Sequence, residues 1–196
     1  MIDTESLAAR LLAQGSACLM LAACTGAPGP VEHKQPTRSP ATSATIGSAD
    51  TPFVVPCQRA VLGQPSRTSD DLTVGPLTYP HARSLASMPP PDNARRADGV
   101  YVYKLGTIVS AGATVTVTVA PQARSYAALD HPDAPQGGDL AVTYQGCPDH
   151  DTGFVGGFLL KKQSRACVPL DVRIRGQDQV RRIVISFFNG TCPNPD

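Results

Sequence analysis

Residues 113–119 read Ala-Thr-Val-Thr-Val-Thr-Val, so Val115, Val117 and Val119 fall on one side of an extended chain and Thr114, Thr116 and Thr118 on the other. Side chains repeat with a period of two in a strand and 3.6 in a helix, and β-branched residues lose rotamer freedom in a helix. Such a run specifies a half-buried β-strand and excludes a surface helix. The alternation returns at Val168, Leu170, Val172 and Ile174, interleaved with Pro169, Asp171, Arg173 and Arg175, and again at Ile183, Ile185 and Phe187 within residues 179–188. Pro169 has no amide hydrogen, so its nitrogen has to face a sheet edge or a bulge. The turn Ser110-Ala111-Gly112 predicts a hairpin between residues 100–109 and 113–119, and Gly176-Gln177-Asp178 predicts one between the other two runs. Further strands are expected at residues 72–79, 123–129, 140–145 and 154–160, with residues 88–97 as a long surface loop. No amphipathic helix is legible, and 19 Pro and 17 Gly in 196 residues fit short strands joined by turns. The fold expected for residues 53–196 is therefore all-β, an antiparallel two-sheet sandwich, immunoglobulin-like in the broad sense. A domain of that length buries about 68% of its unfolded surface, enough for a core of its own.

The amino-terminal third has a different character. Residues 11–23 are small and aliphatic apart from Gln14, Gly15 and Ser16, and they run directly into Cys24. Roughly 20 apolar residues are needed to span a bilayer, so this stretch is too short and instead has the build of a signal segment. The charge ahead of it departs from that pattern, with Asp3 and Glu5 against Arg10. A short buried helix with an ordinary thiol and a plain cleaved signal are the competing readings. The segment Leu21-Ala22-Ala23-Cys24 resembles the lipobox of bacterial lipoproteins, which implies that residues 1–23 are removed and that Cys24 carries a diacylglycerol thioether. Residues 25–52 are dominated by Pro, Gly, Ser, Thr and Ala. They cannot bury enough apolar area to offset about 1 to 2 kcal/mol of backbone entropy per residue, so residues 24–52 read as a disordered tether between anchor and domain.

With Cys18 lost and Cys24 lipidated, Cys57, Cys147, Cys167 and Cys192 remain. An even number of cysteines in an exported chain reads as two disulfides, whereas zinc would ask for paired spacings that are absent. Of three possible connectivities, Cys147 with Cys167 and Cys57 with Cys192 is the one expected. The first would close a hairpin and the second would join the ends of the domain.

Chemistry-bearing motifs are scarce. The sequence contains no Gly-x-Ser-x-Gly elbow, no His-Glu-x-x-His and no phosphate-binding glycine loop, and no cofactor is called for. A formal net charge of +1 and few aromatics argue against nucleic acid as a partner. Asp130-His131-Pro132-Asp133 and Asp149-His150-Asp151 are expected to be solvated turns before they are metal loops. Arg173, Arg175, Arg181 and Arg182 form the only local concentration of cations, expected to be a solvated sheet face. Gly156-Gly157 inside a predicted strand marks a bulge or close packing.

The framework segments Val74-Gly75-Pro76-Leu77, residues 142–147, residues 154–159, residues 167–172 and Gly190-Thr191-Cys192 resemble those of exported lipoproteins of high-GC Gram-positive bacteria. The resemblance covers residues 72–192, implies export and a β-rich domain, and brings no catalytic residue with it. The function expected is a lipid-anchored cell-envelope protein on the outer face of the cytoplasmic membrane. It would contact the membrane through Cys24 and bind an envelope protein or polymer, or serve a structural role. The alternative is a cell-envelope hydrolase with an unconventional site at His81, His131 or His150.

Overall fold

The computed structural model describes residues 45–63 and 67–193. The expected signal segment, Cys24 and the tether up to residue 44 lie outside the described residues. Among the described residues there is no α-helix, only thirteen strands and four short 3-10 segments. One sheet is ordered β1 (Phe53–Val55), β9 (Ala141–Gln145), β7 (Thr114–Val119), β12 (Ala166–Ile174) and β13 (Arg181–Phe187). A second is ordered β2 (Leu62–Gly63), β10 (Thr152–Phe154), β6 (Thr107–Val109), β4 (Leu77–Tyr79) and β3 (Leu72–Val74). The third is ordered β5 (Val100–Lys104), β11 (Gly157–Lys161) and β8 (Ala127–Asp130). Pairing is antiparallel throughout except between β1 and β9.

The second and third sheets are two halves of one bent layer. Lys104 lies opposite Gly157 on one side of the bend and Thr107 opposite Phe154 on the other, and within it the Leu105 amide donates to the Gly156 carbonyl at 3.1 Å. A Cβ on Gly157 would overlap the Tyr103 carbonyl, and one on Gly156 would stand 2.8 Å from the Asp130 carbonyl oxygen. The glycine pair is thus a corner made by close backbone approach, and the strand expected at 154–160 is two strands in two sheets.

All three sheets turn their apolar faces into one core. Val115, Val117 and Leu170 from the first sheet meet Leu77, Val109 and Phe154 from the second and Phe158 and Leu160 from the third. Each fully buried aliphatic contributes about 1.5 to 3 kcal/mol relative to exposure. The Val/Thr run forms β7 as expected, with all three valines wholly buried, but Thr118 is buried as well. Thr116 shares a 2.8 Å hydroxyl contact with Thr143 on β9. The β12–β13 hairpin forms in the expected place, with Leu170 opposite Ile183. The Pro169 carbonyl accepts the Ala120 amide at 3.1 Å, one residue past the end of β7. Backbone N and O of one strand residue point to the same side, so the missing donor faces a place where the neighbouring strand has already stopped.

Several expectations are corrected. Residues 100–109 and 113–119 do not pair as a hairpin, because β6 pairs with β4 and β10 while β7 pairs with β9 and β12. The Ser110–Gly112 turn leads out of one sheet into another, held by the Gly112 amide donating to the Cys147 carbonyl at 2.7 Å. Residues 72–79 are the hairpin β3–β4, turned at Gly75, whose φ is +55°. Residues 88–97 are the expected exposed connection between strands for most of their length, but Ala94 is buried and Arg95 bridges Tyr101 on β5. The composition ends the tether at Pro52, yet the Gly47 carbonyl accepts the Leu140 amide at 2.7 Å and the Ala141 amide at 3.1 Å. The folded part therefore begins ahead of Phe53.

The disulfides are Cys57–Cys147 and Cys167–Cys192, with Cα separations of 4.9 and 5.7 Å, which overturns the expected pairing. Strand pairing explains the choice. β1 runs parallel to β9 with Val55 opposite Tyr144, so the chain leaving both strands carries Cys57 to Cys147. Cys167 lies opposite Ser186 on β13, and the chain emerging from that strand returns Cys192 to it. On the chain-entropy model loops of these lengths, 90 and 25 residues, are worth roughly 4 to 5 and roughly 3 to 4 kcal/mol.

Candidate binding cleft

An apolar cleft of about 550 Å³ lies beside β5, walled by Leu85, Met88, Pro89 and Pro91 and closed below by Tyr103, Phe187 and Phe188. Alternation along β5 and β13 builds the floor. Tyr103 and Phe187 point inward and stack with ring centroids 5.5 Å apart, and Phe187 meets Phe158 at 5.0 Å. Phe188 completes it by an unusual route, taking φ +57°, a region that bulky residues avoid. It is held there from three directions. Its amide donates to the Leu85 carbonyl at 3.1 Å, its carbonyl accepts Arg165 Nη1 at 3.0 Å, and its ring sits edge-on to Tyr103 at 5.0 Å. Strain persists only where the surroundings over-determine it, and here it turns an aromatic ring under the cleft.

The wall opposite β5 is the segment expected to be a surface loop. Two 3-10 turns, Ser84–Ser87 just ahead of that segment and Asp92–Ala94 within it, pack against β13 and β5 respectively, leaving Met88 48% exposed between them. Arg96 and Lys104 also line the cleft, and its lining contains no carboxylate. The Tyr103 phenol, hydrogen-bonded to the Ser164 carbonyl at 2.7 Å, is raised above its usual range by burial and by Tyr101, against a smaller opposing effect of Arg165. It stays protonated and acts as floor and anchor.

The three histidines do not share a site. His81 is exposed at φ +56°, with its amide donating to Asp71 Oδ1 at 2.9 Å. His150 Nδ1 lies 2.7 Å from the exposed Asp149. His131 departs from the solvated turn expected of it. Its side chain is only 1% exposed, its Nε2 lies 2.7 Å from Asp139 Oδ2, and the Phe53 ring rests on the imidazole at 4.3 Å. Its Nδ1 is buried with no partner. His131 borders a second cleft of about 340 Å³, together with Gln58 and the 3.2 Å ion pair of Arg59 with Asp133. The lining contains no Ser, Thr or Cys. No signal in the sequence foretold the burial, because Asp139 and Phe53 approach His131 only through the tertiary fold.

Asp151 serves structure. Arg67 Nη2 donates to it at 2.7 Å and also to Ser110 at 3.0 Å, while Arg67 Nη1 donates to Thr78 at 3.0 Å. The Arg67 hydrogen bond holds the Asp151 carboxyl below its ordinary range despite partial desolvation, with the Ala111 amide adding to the effect. The arginine cluster is a solvated face as expected, with Arg182 paired to Asp171 at 2.8 Å and Arg173 and Arg175 exposed. Among the described residues no group of three or more His, Cys, Asp or Glu is placed to hold a metal. Compared with family models, curated proteins and solved structures, the chain matches none.

Proposed function

We propose that this chain is a lipid-anchored binding module of the cell envelope. On this reading residues 1–23 direct export and are removed, Cys24 carries the lipid, and a tether holds an immunoglobulin-like sandwich at the outer face of the cytoplasmic membrane. Its two disulfides suit an oxidising compartment. The observation that carries the binding role is the cleft beside β5, whose volume of about 550 Å³ and apolar lining with a few polar groups are those of a small-ligand site. A neutral apolar fluorophore, N-phenyl-1-naphthylamine, should bind the full chain saturably, and Met88→Glu should abolish the signal without changing the melting temperature. Fluorescence that stays unsaturated, or is identical in the variant, would refute the cleft as the site. The anchor is tested by the intact mass of the membrane fraction, which should start at a diacylated Cys24.

A second reading, a cell-envelope hydrolase, has a single support in the Asp139–His131 pair beside the smaller cleft. With the carboxylate accepting Nε2–H, Nδ1 carries the free lone pair, and because that atom is buried, water would have to enter beside it to serve as the nucleophile. Full rescue of a deletion strain by His131→Gln would remove that support.

A further inference from the structure

The cleft taken above as the binding site is apolar in its walls and cationic in its charge. Arg96 and Lys104 line it and no carboxylate does. Lys104 Nζ is 2.7 Å from Asp130, with the side chain 70% exposed, so its charge is already answered. Arg96 is different. Its amide donates to the Val100 carbonyl at 2.7 Å, which fixes its backbone against the start of β5, while its side chain has no ion pair or hydrogen bond among the described residues.

An arginine without an ion pair in the lining of an apolar cleft discriminates among ligands. It adds nothing for a neutral hydrocarbon, repels a cation, and offers a planar two-donor fork to a carboxylate. The walls suit an aliphatic body, because Leu85 and Met88 present flexible aliphatic side chains, methionine the more adaptable of the two.

We propose that the cleft binds a free linear amphiphile with an anionic end, a fatty carboxylate, with the chain between Met88 and the Tyr103–Phe188 floor and the carboxylate on Arg96. This rests on the cleft being the binding site. The test is calorimetric titration of the full chain with dodecanoate, dodecanol and dodecyltrimethylammonium, each below its aggregation threshold, and with phosphatidylglycerol vesicles. Dodecanoate should bind at least about fivefold more tightly than the other two. Arg96→Gln should weaken dodecanoate roughly fivefold and leave dodecanol unchanged, as removal of one partly exposed charge-assisted pair requires. Met88→Glu should abolish both. Equal affinity for all three amphiphiles, or dodecanoate binding that Arg96→Gln leaves intact, would overturn the anionic ligand while leaving the cleft as the site. Absence of binding by every probe, or binding indifferent to Met88→Glu, would overturn both. Vesicle binding lost in Arg96→Gln and not displaced by dodecanoate would assign the charge to a membrane surface and overturn the free ligand.

Discussion

Two residues with left-handed backbones separate strain that is compensated from strain that is not. Phe188 and Lys162 have φ of +57° and +63°, and each conformation costs roughly 1 to 2 kcal/mol for an L-residue. The Phe188 ring is buried against Tyr103, so Phe188→Gly relieves the strain but forfeits burial worth about 3 to 5 kcal/mol. That variant should lower the denaturation midpoint. Lys162 is exposed, and Lys162→Gly should raise stability by up to about 1 kcal/mol once glycine's extra chain entropy is subtracted. Chemical denaturation of both variants compares them directly, and opposite signs are expected. Asp151 adds a pH dependence. Its carboxyl is lowered in the folded state, first by Arg67, so its stabilising contribution is complete above the ordinary carboxylate range and fades as pH falls below about 4. In Arg67→Ala the Asp151 titration followed by NMR should move back up, and this part of the acid sensitivity should shrink to what the Ala111 amide still supplies. Neither effect is legible in the chain, because Arg67 and Asp151 are distant in sequence and meet only through the folded sheets.

At the level of elements, β12 is the strand on which the first sheet depends. It pairs with β7 on one side and β13 on the other, and Leu170 at its middle is wholly buried. Leu170→Ala should cost about 2 to 5 kcal/mol in a denaturation experiment, and the conservative Leu170→Met well under half of that. The alternation that identified β7, β12 and β13 is a local property and survives into the structure, except that Thr118 and Pro169 on the outward sides are buried as well. The hairpin expected between 100–109 and 113–119 fails because β6 is buried on both faces and takes partners on both sides from within the bent layer. A turn signal says that the chain changes direction. It does not say whether the next strand pairs with the last or crosses to another sheet.

Taken as a whole, the domain is closed by its disulfides in a way that loop-length reasoning does not reach. A non-reducing peptide map should recover Cys57 linked to Cys147 and Cys167 linked to Cys192. Replacing both Cys57 and Cys147 by Ala should cost about 2 to 5 kcal/mol and loosen β1, the sole parallel strand among the described residues. The chain by itself determined its β character, its apolar faces, most of its turn positions and the cysteines available for cross-linking, since these depend on backbone sterics and a two-residue period acting over a few residues. Tertiary structure alone decided which strands became neighbours, which cysteines met, that His131 went inside and that a cleft stayed open beside β5. The reason is that every strand edge offers the same amides and carbonyls. Pairing is therefore settled by which long-range arrangement fills the core, and a cleft exists only where that filling stops.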